Sequence, residues 1–425
     1  MGKALLIRGA RQLLTLRGPR GPRRGADLSS LGIIQDGAVL FTDGVIREVG
    51  PSRRVENLEV ARSADEINAN GRVVLPGFVD SDTHLVGGPP RLLDYEMLLA
   101  GATEQEIEAA GGGHPALSRA ILEMSSHTLE AHARRVLREC VRQGTTTIEA
   151  KSGYGVQEAG EMKTLRVHAA LCKGPATVVS TFMGASRVPD RFEGGPDGYI
   201  EWLCDEMLPR VRRRRLAQFA DCFYRDPVFS EPHLRRFLET AQELGFGLKI
   251  HARRCADSRA VAIAVELGAA SIHDLTECTD RDAALLARSD TVATLLPGPA
   301  FYLGTETYPP ARTLIDRGVA VALATGYNPE TSPSYSMQMM IALACRKMNM
   351  TPAEAVAAGT INGAHAAGRA HRSGSIETGK DADLIMLSVP DYREIPYHFG
   401  VNLVEMSIRK GRVMFRAPDV AWPFD

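Results

Sequence analysis

The feature that most constrains the fold of this chain is a series of short apolar or β-branched runs, each followed by a stretch with helical spacing. The runs predict eight strands, at residues 73–80, 145–149, 177–181, 218–223, 247–251, 269–273, 291–296 and 319–325. The segments between them, such as 129–143, have the lengths and apolar spacing of helices. This number of strands alternating with helices is typical of a (β/α)8 barrel, an α/β fold.

The two ends of the chain have a different pattern. Short alternating apolar runs fill the first residues, and the dipeptide Asp43-Gly44 lies between two of them as a hairpin turn would. Similar runs return between residues 382 and 415. We therefore predict a composite β-sandwich built from residues 1–72 and 371–425, with the barrel formed by residues 73–370.

Composition restricts the class of partner. The 425 residues include 50 Lys and Arg against 51 Asp and Glu, so a basic face for nucleic acid is not expected. An apolar run long enough to span a membrane is absent from the sequence. The 7 cysteines are scattered singly without CxxC spacing, which favours a reducing compartment. We expect a cytoplasmic protein that acts on a small molecule.

Polar side chains recur where the predicted strands end, which is the edge that carries the chemistry in barrels of this type. Asp82 and His84 follow the first strand and point the same way, because side chains alternate along an extended segment. His251 ends the fifth strand and completes a set of two histidines and one carboxylate. Taken alone, each is more often an ordinary hydrogen-bonded residue than a ligand. Together they make a metal site a hypothesis that the sequence leaves open.

Several motifs resemble the imidazolonepropionases of the amidohydrolase superfamily, almost from end to end. The distinctive ones are KSGYG at 151–155 and PYHFG at 396–400, while PGFVD at 76–80 is shared by much of the superfamily. The resemblance implies a distorted (β/α)8 barrel with a composite β-sandwich, assembled as a homodimer. It also implies hydrolysis of the cyclic C–N bond of 4-imidazolone-5-propionate in histidine degradation, assisted by zinc or iron.

The metal positions implied by this resemblance are partly changed. The H-x-H pair of the family is Asp82 and His84 in this chain, and the next metal histidine is His251. The final aspartate ligand of the family is Gly326, which has no side chain to offer. The resemblance therefore predicts one divalent metal, zinc or iron, that is weakly held or absent.

The catalytic positions have changed further. A histidine of the family is Ser186 here, its glutamate is Arg254, and its Asp-His pair is His273-Asp274 in swapped order. We predict His273, Asp274 and Arg254 as the catalytic groups. A guanidinium cannot act as a base, because its pKa stays above about 12, so Arg254 would bind an anion or replace the metal as an electrophile.

The substrate-contact positions implied by the resemblance are better kept. They are Arg91, Tyr154 and Asn328, with Ser186 in the altered part of the pocket. A guanidinium makes bidentate bonds to a carboxylate, so these residues predict a small anionic substrate.

These observations favour a hydrolase acting on a cyclic amide or a related small anionic molecule, with an altered or absent metal. A metal-free version would use Asp82 or Asp274 as the base and Arg254 to stabilise the oxyanion. The alternative is an inactive pseudoenzyme or ligand-binding homologue that keeps the pocket. A structural or regulatory oligomer is the least supported interpretation.

Overall fold

The computed structural model describes residues 4–189, 192–224, 228–254 and 259–418, and the side chains of all of these except Arg253 and Arg254. Within these ranges the strands are β1 (Ala4–Leu14), β2 (Ile33–Thr42), β3 (Val45–Pro51), β4 (Asp65–Asn68), β5 (Val73–Pro76), β6 (Phe78–Asp80), β7 (Thr145–Lys151), β8 (Thr177–Ala185), β9 (Phe219–Phe223), β10 (Gly247–Arg254), β11 (Ser271–Glu277), β12 (Val292–Leu295), β13 (Val321–Leu323), β14 (Leu384–Leu387), β15 (Val404–Arg409) and β16 (Arg412–Arg416).

Within the same ranges the helices are α1 (Ser52–Val55), α2 (Glu59–Arg62), α3 (Leu92–Leu99), α4 (Glu104–Ala109), α5 (Gly113–Glu123), α6 (Ser126–Arg142), α7 (Glu158–Leu171), α8 (Gly195–Trp202), α9 (Leu208–Arg213), α10 (Glu231–Glu243), α11 (Arg259–Glu266), α12 (Asp280–Leu286), α13 (Pro297–Tyr302), α14 (Ala311–Asp316), α15 (Met337–Lys347), α16 (Pro352–Ala357), α17 (Gly363–Ala366) and α18 (Glu394–Tyr397). Most of the helices lie outside the barrel, whereas α1 and α2 pack against β1 and β2. Among the described residues, no helix combines the length and apolar character needed to cross a membrane.

One sheet, which we call the terminal sheet, is built from both ends of the chain. Its strands run in the order β16-β15-β14-β5-β1-β2-β3, with β4 paired to β1. Alternate side chains of these strands, among them Leu13, Phe41, Val74 and Leu384, meet in one buried apolar cluster. Burial of this shared face holds the two ends of the chain together.

The second sheet is the barrel, with eight parallel strands in the order β6 to β13. Each of the eight predicted runs overlaps one of these strands, and the predicted α/β barrel with a separate β-sheet domain is confirmed. Helical and strand side chains pack between the barrel and its surrounding helices in the largest apolar cluster. The carboxyl ends of the strands therefore point toward one common edge.

The first predicted strand, 73–80, is divided in the structure at Gly77. Residues before it pair with β1 and β14 of the terminal sheet, and residues after it pair with β7 of the barrel. A Cβ at Gly77 would lie 2.2 Å from the side chain of Thr146, so the close approach of the two strands requires glycine. The continuous run of apolar residues concealed this change of sheet.

The barrel is closed between its first and last strands by side-chain and backbone contacts. The buried carboxylate of Asp80 accepts hydrogen bonds from the backbone N–H of Thr325, at 3.0 Å, and from its hydroxyl, at 2.6 Å. The backbone N–H of His84 donates to the carbonyl of Tyr327 at 2.7 Å. The loops that follow β6 and β13 are thereby fixed side by side.

We expect Asp80→Ala to lower the free energy of unfolding by about 2–3 kcal/mol, because it leaves a buried N–H and a buried hydroxyl without their acceptor. Urea denaturation followed by circular dichroism measures the change. The matched control is Asp205→Ala, an exposed carboxylate of the outer helices, which should stay within about 0.5 kcal/mol of the parent. Equal effects of the two substitutions would contradict the closing role of Asp80.

Candidate functional site

A cavity of about 200 Å³ opens at the carboxyl ends of the barrel strands. Seven of the residues predicted from the sequence line it: Asp82, His84, Tyr154, Ser186, His251, Asp274 and Asn328. They come from the ends of β6, β7, β8, β10, β11 and β13, because parallel strands deliver their last side chains to one edge. The structure thus brings most of the predicted site residues together.

Three predicted residues are not among the lining residues. Arg91 makes a bidentate ion pair with Asp94, with both N–O distances at 2.9 Å, at the start of α3. His273 is completely buried behind the cavity wall. The side chain of Arg254 lies outside the described residues, although its backbone belongs to β10. The roles assigned to these three residues stay predictions.

The imidazole of His251 lies between two carboxylates. Its Nδ1 is 3.8 Å from Oδ2 of Asp82, and its Nε2 is 3.9 Å from Oδ2 of Asp274. The ring stacks on Phe223, with centroids 4.8 Å apart and planes 18° apart, because β9 and β10 pair these two residues directly. A histidine in this position can accept a proton, and the neighbouring carboxylates stabilise the imidazolium that forms.

Asp274 reaches the cavity through an irregular backbone. Its φ is +77° and that of Leu275 is +57°, both in the left-handed region that bulky residues avoid. Its carboxylate also accepts a hydrogen bond from the hydroxyl of Thr276. Backbone strain of this kind is often found at functional sites, where surrounding packing maintains it.

Asp82 and His273 are direct neighbours, with Oδ2 2.6 Å from Nδ1. The other ring nitrogen of His273 lies 2.8 Å from the hydroxyl of Ser271, which fixes the ring. The resemblance places a histidine at 82 and an aspartate at 273, so this chain contains the same two residue types exchanged between two strands. The two altered positions are therefore neighbours in space.

Beneath the cavity floor lies a group of buried charges, which we call the floor cluster: Lys151, Glu149, Asp221 and Lys249. The ammonium of Lys151 contacts Asp221 and lies 3.6 Å from Asp82 and 3.7 Å from Glu149. Lys249 donates to Glu149 at 2.7 Å. All four side chains of the cluster are 0% exposed.

The floor cluster fixes charge states around the site. Burial alone would lower the pKa of Lys151, but Asp221, Asp82 and Glu149 raise that pKa above its usual value. Burial likewise opposes ionisation of Asp82, whereas Lys151 and His273 hold its pKa well below the usual range. Asp82 therefore faces the cavity as a carboxylate. Burial lowers the pKa of His84 to about 4, so this imidazole is neutral.

The donors present do not match a divalent-metal site of the kind the resemblance implies. Gly326 has no donor, and a Cβ at that position would meet carbon atoms of Leu296 and Pro299. The oxygen of Asp82 that faces His251 also has His273 and the ammonium of Lys151 as close neighbours. Within the described ranges, no three His, Cys, Asp or Glu side chains are placed to hold an ion. The predicted trio of Asp82, His84 and His251 is thus close in space without forming such a group.

Asn328 supports the loop after β13. Its amide nitrogen donates to the carbonyl of Gly326 at 2.8 Å, and its oxygen accepts from the backbone N–H groups of Glu330, at 2.9 Å, and Thr331, at 2.7 Å. This turn directs Glu330 into the cavity, whose wall it shares with Tyr154. Asn328 thus positions the cavity wall from within its own turn.

Among the lining residues that the sequence did not predict, four are ionisable: Glu330, Arg187, Glu104 and His114. Arg187 pairs with Glu108 of α4 at 2.9 Å. Gly113 and His114 form the first turn of α5. Glu330 follows an Asn-Pro turn, and that turn was the sequence signal that could have identified it.

Comparison with known proteins places this architecture in a family. The family model described as the amidohydrolase family matches residues 73–414. The imidazolonepropionase of Geobacillus kaustophilus is 43% identical over 416 residues, covering 97% of this chain and 98% of that protein. The imidazolonepropionase of Parabacteroides distasonis is 44% identical over 410 residues, covering 96% and 98%.

Solved structures share the fold at low identity. A zinc-bound adenosine deaminase from Xanthomonas campestris has a TM-score of 0.65 and 19% identity, covering 96% of this chain and 92% of the other. The guanine deaminase of E. coli has a TM-score of 0.70 and 13% identity, covering 98% and 100%. The fold and the sequence identity to the curated relatives agree. The chain belongs to the amidohydrolase family, in the branch of the imidazolonepropionases.

Proposed function

We propose that this protein hydrolyses the C–N bond of a small cyclic amide, with His251 as the group that transfers protons. The observation that carries the proposal is the position of this imidazole between Asp82 and Asp274, with all three side chains facing one cavity. Membership of the amidohydrolase family supports the reaction class. The geometry supports an assignment of roles that differs from the one the sequence predicts.

In the proposed reaction, Nε2 or Nδ1 of His251 takes a proton from water as the water oxygen bonds to the amide carbon. The imidazolium that forms is stabilised by the carboxylates of Asp82 and Asp274. The imidazolium then gives the proton to the amide nitrogen of the substrate as the C–N bond breaks, which leaves a carboxyl group and an amine. His84 lines the same cavity, and an N–H of its neutral ring would donate to the oxyanion.

We propose further that this reaction does not use a tightly held divalent metal. The missing donor at Gly326 and the ammonium of Lys151 beside Asp82 support that view, because a nearby cation disfavours a second positive charge. Elemental analysis of protein purified without chelator is expected to give substoichiometric zinc and iron. One equivalent of either metal, lost in the His84→Ala variant, would overturn this part of the proposal.

The experiment that tests the hydrolase is turnover of a panel of cyclic amides, namely imidazolone propionate, hydantoin and dihydrouracil, by the parent and by His251→Asn. We expect the substitution to lower kcat by a factor of about 10²–10⁴, the usual contribution of a general acid-base group. The matched control is His127→Asn, at an exposed position of α6. Parent-like turnover by His251→Asn would contradict the role assigned to His251.

A second candidate function is ligand binding without turnover. Buried polar atoms of the site, among them Nδ1 of His84 and of His251, have no hydrogen-bond partner in the described part of the chain, as expected where a ligand or water completes the site. A compound that raises the melting temperature yet remains intact in long incubations would favour this candidate. The homodimer and the small anionic substrate expected from the sequence stay predictions.

A further inference from the structure

A cavity of about 710 Å³ lies on the edge of the barrel opposite the candidate site, and we call it the arginine cavity. The end of α9 and the residues before two barrel strands line it: Arg212, Arg213, Arg215, Ala217, Gln218 and Gly245. Gln218 directly precedes β9, and Gly245 comes two positions before β10, so this cavity lies at the amino ends of those strands. The candidate site lies at the carboxyl ends and shares none of these six residues.

The polar side chains of the arginine cavity offer hydrogen-bond donors. A guanidinium has several N–H groups and no acceptor. The oxygen of the Gln218 amide is already bound, because it accepts the backbone N–H of Ser180 at 2.7 Å. Its NH2 group is the part of the amide that remains to donate to a ligand. Asp and Glu are absent from the described lining residues, so the cavity matches a ligand rich in acceptor oxygens.

The three lining arginines lack the partners that their neighbour Arg210 has. Arg210 forms ion pairs with Glu158 and with Glu206, the second at 3.1 Å. Across the described ranges of the chain, Arg212, Arg213 and Arg215 form no ion pair with a carboxylate. Three positive charges therefore share one cavity, and their mutual repulsion is relieved when an anion binds between them.

Arg212 is held in place by the packing around it. Its guanidinium lies over the ring of Phe246, 5.7 Å from the ring centroid. A Cβ at Gly245 would lie 3.0 Å from Nη2 of Arg212, so the missing side chain leaves room for the guanidinium. Contact with an aromatic ring restricts the orientation of a cation. One donor of the cavity is thus positioned before any ligand arrives.

Arg215 occupies a backbone position that favours glycine. Its φ is +53°, and its N–H donates to the carbonyl of Arg212 at 3.0 Å, while the N–H of Leu216 donates to the carbonyl of Val211 at 3.2 Å. These two bonds end α9 as a Schellman motif, whose left-handed residue is most often glycine. Strain of this kind is often found where a side chain has a function, and the side chain of Arg215 lines the arginine cavity.

We propose that the arginine cavity binds a small ligand with two linked phosphate groups, either inorganic pyrophosphate or the diphosphate of a nucleotide. Guanidinium groups bind phosphate oxygens through pairs of parallel hydrogen bonds, and three of them suit the many oxygens and multiple charge of a diphosphate. The volume falls in the range of small-molecule sites, about 300–1,000 Å³. The chain as a whole has 50 basic and 51 acidic residues, so a small ligand fits this local charge better than a nucleic acid. The site is independent of the proposed hydrolysis.

Isothermal titration calorimetry of the full chain with inorganic pyrophosphate, in magnesium-free buffer at neutral pH and low salt, tests the proposal. We expect an affinity that falls as the salt concentration rises, because the attraction acts between charges exposed to solvent. Inorganic phosphate should bind at least about tenfold more weakly, since it reaches fewer guanidinium groups. ADP distinguishes the two sources of the diphosphate: equal affinity indicates free pyrophosphate, and tighter binding indicates a nucleotide.

Arg215→Gly removes one guanidinium and gives the turn the residue that it favours. We expect its melting temperature to stay at or above that of the parent, while the affinity for pyrophosphate falls about tenfold. Arg213→Gln should lose a similar factor and leaves the turn as it is. Arg346→Gln is the matched control, because it changes an exposed arginine in the last turn of α15, and it should bind pyrophosphate as the parent does.

The proposal is overturned if neither pyrophosphate nor ADP binds, if inorganic phosphate binds as tightly as pyrophosphate, or if both arginine variants keep the affinity of the parent. Decathymidylate serves as the nucleic-acid probe. If it binds more tightly than pyrophosphate and weakens in the same two variants, the cavity belongs to a single-stranded nucleic acid and the small-ligand proposal fails. These measurements do not depend on turnover, so neither result bears on the hydrolase.

Discussion

The Lys151→Met variant is expected to unfold with a free energy about 3–5 kcal/mol lower than that of the parent. In the parent, the ammonium of Lys151 contacts Asp221 and lies near Glu149, both in the floor cluster, and it also lies near Asp82. All of these side chains are buried. Methionine has a similar length and no charge. The carboxylates left behind would repel one another without water to screen them. Chemical denaturation at pH 7 measures the loss.

Lys173→Met is the matched control for this prediction, because it makes the same chemical change at an exposed position after α7. We expect that variant to stay within about 0.5 kcal/mol of the parent. A Lys151→Met protein as stable as the control would contradict the prediction, because it would show that the ammonium of Lys151 is not needed to keep the floor carboxylates buried. A variant that fails to accumulate can be replaced by Lys151→Arg, which keeps the charge and strains the packing instead.

The second large effect concerns Asp82 and His273, whose Oδ2 and Nδ1 atoms are 2.6 Å apart. Asp82→His alone places an imidazole beside His273 and Lys151, and His273→Asp alone places a second carboxylate beside Asp82. We expect each single variant to lose about 3–5 kcal/mol of unfolding free energy, because Asp82→His takes a buried carboxylate away from the ammonium of Lys151 and His273→Asp places a second buried carboxylate beside Asp82. The double variant restores opposite types at the two positions and should recover about 0.5–3 kcal/mol of the summed losses.

A double-mutant cycle measured by urea denaturation isolates this coupling. The control cycle combines Asp82→His with Asp205→Ala on the outer helices, a pair of sites with no shared partner, and should be additive within about 0.5 kcal/mol. Additive losses in the Asp82 and His273 cycle would mean that the two exchanges are independent events. Coupling of the expected sign would mean that positions 82 and 273 work as a pair, with the aspartate and the histidine able to occupy either position.

Most of the barrel could be predicted from the sequence, because buried parallel strands are short β-branched runs whatever their partners are. The run at 73–80 is the exception, because it passes from the terminal sheet to the barrel without any change in its apolar pattern. The division is set by packing at Gly77. Asp82, His251 and Asp274 could be assigned to one cavity because each follows a strand end.

Side-chain direction and pairing were less accessible. Arg91 pairs with Asp94, three residues along the chain, and no strand pattern identifies that partner; its role at the substrate stays a prediction. Glu330 reaches the cavity through a turn whose shape depends on a hydrogen bond to the side chain of Asn328. A sequence pattern does not show that bond, so the position of Glu330 could be seen only in the structure. Glu149 and Lys151 occupy alternate positions of β7, which continues two residues beyond the predicted strand 145–149. The spacing of opposite charges after a buried run was an unused signal.

The place of β5 in the terminal sheet also affects the order in which the protein can be completed during synthesis. This strand leads directly into the first barrel strand, yet one of its two neighbours, β14, is made after the whole barrel has been translated. Until then, one edge of β5 lacks its hydrogen-bond partner, and an unpaired edge invites association with other chains. The last strands of the chain therefore cap a nascent edge as well as completing a sheet.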